Sequence, residues 1–141
     1  MNPILLYRIA AVLLFLFAVG HTLGFLKFKP QTAEGMGVRA AMDAVTFEYR
    51  GRHYSYGNFY RGFGLFVTAY LLFAAFLAWH LGSVAADAYA ANVGLAWAFA
   101  GVQLVCFGLS VRYFFLPPAL FSGLIVFCLA WAAWLVGAAV I

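Results

Sequence analysis

Apolar residues run almost unbroken from Ile4 to Leu26, Phe63 to Leu81, Val93 to Val111 and Leu116 to Ile141, and the polar positions collect between these runs. At 1.5 Å of rise per residue each run covers roughly the 30 Å of a bilayer's hydrocarbon core. Lipid tolerates only a backbone that satisfies its own hydrogen bonds, so each run is expected to be a helix. The pattern predicts an all-α, integral membrane four-helix bundle with a structured loop between helices 1 and 2. It forms one transmembrane domain over residues 1–141, with helices at about 4–26, 59–81, 93–114 and 117–140 and an interfacial loop at 27–58. The first run, with Arg8 in front and Ala18-Val19-Gly20 as a small-residue site, also has the build of a signal peptide. It is taken here as a membrane helix.

The third and fourth runs are joined through Phe114-Phe115-Leu116-Pro117-Pro118, so short a connection that the two helices must be antiparallel neighbours. Small residues recur every seventh position on both: Gly94, Gly101 and Gly108 on one, Gly123, Ala130 and Gly137 on the other. In an antiparallel hairpin, residues at one depth share a constant index sum, and the pairs Gly108–Gly123, Gly101–Ala130 and Gly94–Gly137 do so. The expectation is that the two stripes face each other and let the backbones approach closely. Gly20 and Gly24 make a G-x-x-x-G around His21 and Thr22 on the first helix, which would likewise admit a close neighbour.

The stretch between the first two membrane helices is too long for a simple turn. Gly37 to Glu48 is expected to form a short helix with Arg39 and Asp43 paired at i, i+4, laying Met36, Ala40, Ala44 and Phe47 on the membrane surface. Tyr49, Tyr54, Tyr56 and Tyr60 follow closely, as suits an interfacial belt where the ring lies in hydrocarbon and the hydroxyl in water.

Composition removes the soluble alternatives. The 141 residues are 67% hydrophobic, 20% aromatic and only 9% charged, with a mean hydropathy of +1.00, far too apolar for a soluble domain of this length. Nothing in the pattern suits nucleic acid. Lys27, Lys29, Arg39, Arg50, Arg52, Arg61 and Arg112 lie on the side of the first and third loops, against Arg8 alone on the side of the termini. The positive-inside rule then predicts a multi-pass protein of the cell (inner) membrane with both termini non-cytoplasmic. The second loop, Gly82 to Asn92, carries one acid, Asp87, and no base. Cys106 and Cys128 lie inside the third and fourth helices without a C-x-x-C spacing, as small hydrophobes do.

Two motifs, G-H-T-x-G-F at Gly20 to Phe25 and Tyr60-Arg61-Gly62-Phe63-Gly64-Leu65-Phe66, resemble a family of small, uncharacterised four-helix bacterial membrane proteins. The family pattern runs H-F-D, a glycine, then R-S-Y-W-D-F-Y-x-G-F-G-L-F, and the likeness extends over roughly Gly20 to Leu81. It implies a four-helix fold and no established chemistry. Thr46 stands where the family tends to have histidine and Asn58 where it tends to have aspartate, so an activity resting on those groups would be altered here.

The polar groups below the head-group level mark the candidate site, because ionisable residues there are expensive. His21 lies about 9 Å of helix from Lys27, Arg61 about one turn into the second membrane helix, and Arg112 about one turn before Pro117. These three are expected to converge on a pocket walled by Tyr60 and Tyr113, with Glu48 folded inward or an anionic ligand as the counter-ion. The plainer alternative is that the arginines snorkel to lipid phosphates and His21 bonds a neighbouring backbone carbonyl. No paired carboxylates at helical spacing, G-x-S-x-G, H-E-x-x-H or phosphate loop occurs, so no catalytic residue is assigned and enzymatic activity stays open. His21 and His80 belong near opposite faces, which disfavours a bis-histidine haem; a single histidine as axial ligand to a pigment remains open. No metal site is assigned, and the cofactor is unknown. The function predicted is binding of an amphipathic anionic or lipid-like ligand by His21, Arg61, Arg112, Tyr60 and Tyr113. The alternative is a non-catalytic accessory or structural subunit of a larger membrane complex, respiratory or pigment-containing. Membrane lipids are the expected partners, with a homo-oligomer or such a complex beyond them.

Overall fold

The computed structural model describes residues 2–84 and 88–140, so Asp87 of the second loop lies outside the described residues. In chain order the elements are α1 (Pro3–Lys27), α2 (Ala33–Ala44), β1 (Thr46–Tyr49), β2 (Arg52–Ser55), α3 (Tyr56–Leu81), α4 (Tyr89–Tyr113) and α5 (Leu116–Ala138). The protein is a helical bundle, and α1, α3, α4 and α5 are each long and apolar enough to cross a membrane. The chain falls into two compact units: unit 1 comprises residues 1–17 and 71–141, and unit 2 comprises residues 18–70.

Unit 1 packs the first part of α1, the last part of α3, and the α4–α5 hairpin. Its interior is mainly apolar, with Leu6, Leu14, Ile125 and Leu129 fully buried. Phe17 meets Phe121 with ring centroids 5.6 Å apart, which joins α1 to α5. Pro117 and Pro118 occupy the first turn of α5, where the missing N–H groups would have had no helical partner. Between α4 and α5, the buried hydroxyls of Ser110 and Ser122 bond at 3.1 Å, and an added Cβ on Gly123 would meet the Phe107 ring at 3.2 Å. Both pairs follow the register expected from the index sum.

The facing glycine stripes are not found. Gly94, Gly101 and Gly108 are exposed, with no atom within 4 Å of an added Cβ, and α4 instead buries Ala96, Phe99, Ala100, Gln103 and Ser110. The depth of the α4–α5 pairing agrees with the index sum, whereas the rotation of α4 about its axis differs from the one the stripes imply. The polar positions of α4, Asn92, Gln103 and Ser110, share the face it turns inward, opposite the glycines.

Unit 2 holds the end of α1, the helix α2, the β1–β2 hairpin and the first part of α3. Helix α2 starts four residues earlier than Gly37, because Thr32 caps it with its hydroxyl on the Gly35 N–H at 3.1 Å. The strands were not anticipated. They pair antiparallel with Phe47 opposite Tyr54 and Glu48 opposite His53, around a two-residue turn in which Arg50 and Gly51 both take positive φ, 51° and 75°. That conformation matches the twist of the strands and is one glycine adopts without cost. Phe47 stacks on Tyr54 and also meets Tyr56 and Phe59, which fastens the hairpin to the start of α3. The Ser55 hydroxyl accepts from the Asn58 N–H at 3.1 Å, so α3 is capped and begins at Tyr56, ahead of the expected 59.

Candidate functional site

The site is built in unit 2, where the end of α1 lies against the start of α3. Gly64 makes the approach possible: an added Cβ there would stand 2.6 Å from Phe25 Cε2. With the backbones this close, His21 Nε2 reaches the Gly64 carbonyl at 3.0 Å. A carbonyl only accepts, so Nε2 carries the proton of this bond. The next residue, Thr22, donates its Oγ1 to Ala18 O at 2.7 Å and lies 2.8 Å from the Oγ1 of Thr68, one turn beyond Gly64. His21 is half-buried and is followed by an aromatic series: its ring is 5.1 Å from Phe25, and Phe25 meets the edge of Tyr60 at 6.5 Å.

Beside this series a charged cluster links α2 to α3. Arg61 Nη2 donates to Asp43 Oδ1 at 3.1 Å and to Asn58 Oδ1 at 2.7 Å. Arg39 Nε stands 3.5 Å from the other Asp43 oxygen, as the i, i+4 spacing predicted, and its guanidinium lies 5.7 Å from the Tyr60 ring centre. The counter-ion of Arg61 is therefore Asp43, in place of the expected Glu48, which sits opposite His53 in the hairpin. One carboxylate serves two guanidiniums, which leaves one positive charge in surplus. An aspartate at position 58 would remove that surplus; Asn58 keeps it. Gly57 is the seat of the cluster, since an added Cβ there would run into the Asp43 carboxylate and lie 3.2 Å from Met42 O. Counted over unit 2, the bases Lys27, Lys29, Arg39, Arg50, Arg52 and Arg61 outnumber the acids Glu34, Asp43 and Glu48 by six to three.

Of the five residues proposed from the sequence, His21, Tyr60 and Arg61 belong to unit 2, joined through Phe25 and the Arg39–Asp43–Arg61 cluster. Arg112 and Tyr113 belong to the end of α4 in unit 1, where both are exposed and the guanidinium lies 5.6 Å from the Tyr113 ring. Asp43, Asn58 and Thr68 were not recognised as partners. Asp43 was visible as the i+4 mate of Arg39, but its second partner lies eighteen positions on, beyond the reach of any helical period. Among the described residues no three His, Cys, Asp or Glu side chains gather as a metal site would require. No family model matches the chain, and comparison with curated proteins and with solved structures finds no match either.

Proposed function

We propose that this multi-pass membrane protein binds an amphipathic anion, such as a lipid head group or a quinone-like or isoprenoid ligand, at the basic, aromatic surface formed by Arg39, Arg61, Tyr60 and His21. The observation that carries this reading is the surplus charge of two guanidiniums on one carboxylate. The aromatic rings offer an apolar seat beside it, and each cation near the head-group level is worth about 1 kcal/mol toward anionic lipid. Arg112 and Tyr113 remain part of the proposal as a second cationic and aromatic pair. The motif resemblance to small four-helix bacterial membrane proteins fits a bundle of this size, with Asn58 as the departure that raises the charge of the site.

Native mass spectrometry of the full-length protein, released from micelles supplied with equal phosphatidylglycerol and phosphatidylcholine, tests the proposal. Retention of phosphatidylglycerol in clear preference is the expected result, and equal retention of the two lipids contradicts it. The alternative role, an accessory subunit of a larger membrane complex, draws on the exposed glycine face of α4 at Gly94, Gly101 and Gly108, because close approach of glycine backbones is how helices associate in lipid. A protein that is unstable when purified alone would favour that role.

From the distribution of Lys and Arg we further propose that the surplus of unit 2 faces the cytoplasmic side of the inner membrane. A reporter fused after Ile141 is accordingly expected to read as non-cytoplasmic, and a cytoplasmic readout would reverse the orientation.

A further inference from the structure

In unit 1, α1 approaches the end of α3 at Gly82, where an added Cβ would lie 3.1 Å from Tyr7 Cβ and 3.5 Å from Arg8 Nε. Arg8 turns across the surface, its guanidinium 3.5 Å from the Trp79 ring centre and one N–H on Ser83 Oγ at 2.9 Å. Tyr7 turns inward and is only 2% exposed, yet its hydroxyl has no hydrogen-bond partner among the described residues. A buried donor left in this state costs about 1–3 kcal/mol, and buried tyrosine hydroxyls ordinarily find an acceptor. Tyr7 lines a small cleft together with Leu81, Tyr89, Asn92, Ala96 and Val136. Of the lining residues, Asn92 commits Nδ2 to Ala88 O at 2.9 Å, which leaves its amide oxygen to accept. The space suits a single oxygen-sized group.

The geometry points to a binding site for one hydroxyl group in this cleft, accepting from Tyr7 Oη and donating to Asn92 Oδ1. The donor and acceptor that line it define the chemistry: a carbonyl oxygen accepts from Tyr7 but gives Asn92 nothing, and an ammonium donates to Asn92 but cannot accept the Tyr7 proton, whereas an O–H does both. Water and the hydroxyl of a lipid head group both supply it. Tyr7 is about 6 Å of helix from Pro3, a depth both sources can reach. No residue of the cleft belongs to the Arg39–Asp43–Arg61 cluster, so the site stands or falls separately from the function proposed above.

The test is a double-mutant cycle on the full-length protein, with Tyr7→Phe, Asn92→Leu and both together, followed by thermal unfolding in nanodiscs of phosphatidylcholine and of phosphatidylglycerol. In a dry cleft, Tyr7→Phe removes an unpaired donor and leaves the midpoint unchanged or raised. With the hydroxyl in place it lowers the midpoint by roughly 2–4 °C, and it adds little further once Asn92 is leucine. The same coupling in both lipids assigns the hydroxyl to water. Coupling in phosphatidylglycerol alone, whose head group carries glycerol hydroxyls, assigns it to lipid. A Tyr7→Phe protein at least as stable as wild type in both lipids, or two effects that simply add, overturns the site.

Discussion

Gly64→Leu is expected to lower the thermal midpoint of the protein by roughly 3–10 °C, while Gly62→Leu and Gly101→Leu leave it within about 2 °C of wild type. All three glycines are helical, so the gain in helix propensity is shared and the contrast isolates what each new side chain meets. A Cβ at Gly64 comes within 2.6–2.8 Å of three Phe25 ring carbons, whereas nothing lies within 4 Å at Gly62 or Gly101. The Phe25 ring is in contact with both His21 and Tyr60, so a shift away from Gly64 disturbs those contacts too. Overpacking of this kind costs about 1–3 kcal/mol, and it would also part His21 from the Gly64 carbonyl. Relief by a smaller neighbour identifies the cause: Gly64→Ala combined with Phe25→Leu should recover most of the stability that Gly64→Ala alone loses. Equal midpoints for Gly64→Leu and Gly62→Leu would mean that α1 and α3 do not meet at Gly64.

The Gly101 control also marks what a sequence of this composition reveals. The number and place of the membrane helices follow from run length and hydropathy, which are local properties, and Arg39–Asp43 follows from one helical period. The α4–α5 register follows from a short connection. Rotation is different. Its signal in α4 is three scattered polar side chains, Asn92, Gln103 and Ser110, which share the face turned to protein, whereas the glycine repeat lies on the opposite side. The hairpin escaped notice because its turn, Arg50-Gly51, lacks the asparagine or aspartate that usually announces a two-residue loop, and the aromatics flanking it also suit an interfacial belt. Arg61 stands out as a candidate, but its carboxylate partner, Asp43, comes from another element. Tyr7 is a tyrosine in an apolar run, and only the packing around Gly82 shows that its hydroxyl is enclosed.

The charge account of the site makes a prediction in which two substitutions act with opposite sign. If the surplus of the Arg39–Asp43–Arg61 cluster attracts the ligand, Asp43 competes with it for the guanidiniums. Asp43→Asn keeps the shape of the side chain beside Gly57, removes the competing charge, and should tighten binding of an anionic amphiphile severalfold. Arg39→Ala with Arg61→Ala removes two cations and should weaken binding roughly 30-fold, at about 1 kcal/mol for each. Asn58→Asp supplies a second carboxylate to Arg61 and should weaken binding as well. A cluster that serves only to join α2 to α3 behaves otherwise: Asp43→Asn would then loosen it, as Arg61→Ala does, and the two would change in the same direction. The direct measurement is the phosphatidylglycerol affinity of wild type, Asp43→Asn and Arg39→Ala/Arg61→Ala, at one ionic strength because the attraction is screened by salt. Tighter binding by the Asp43 variant with weaker binding by the arginine variant is the predicted result; weaker binding by both, or no change in either, would contradict the proposed function.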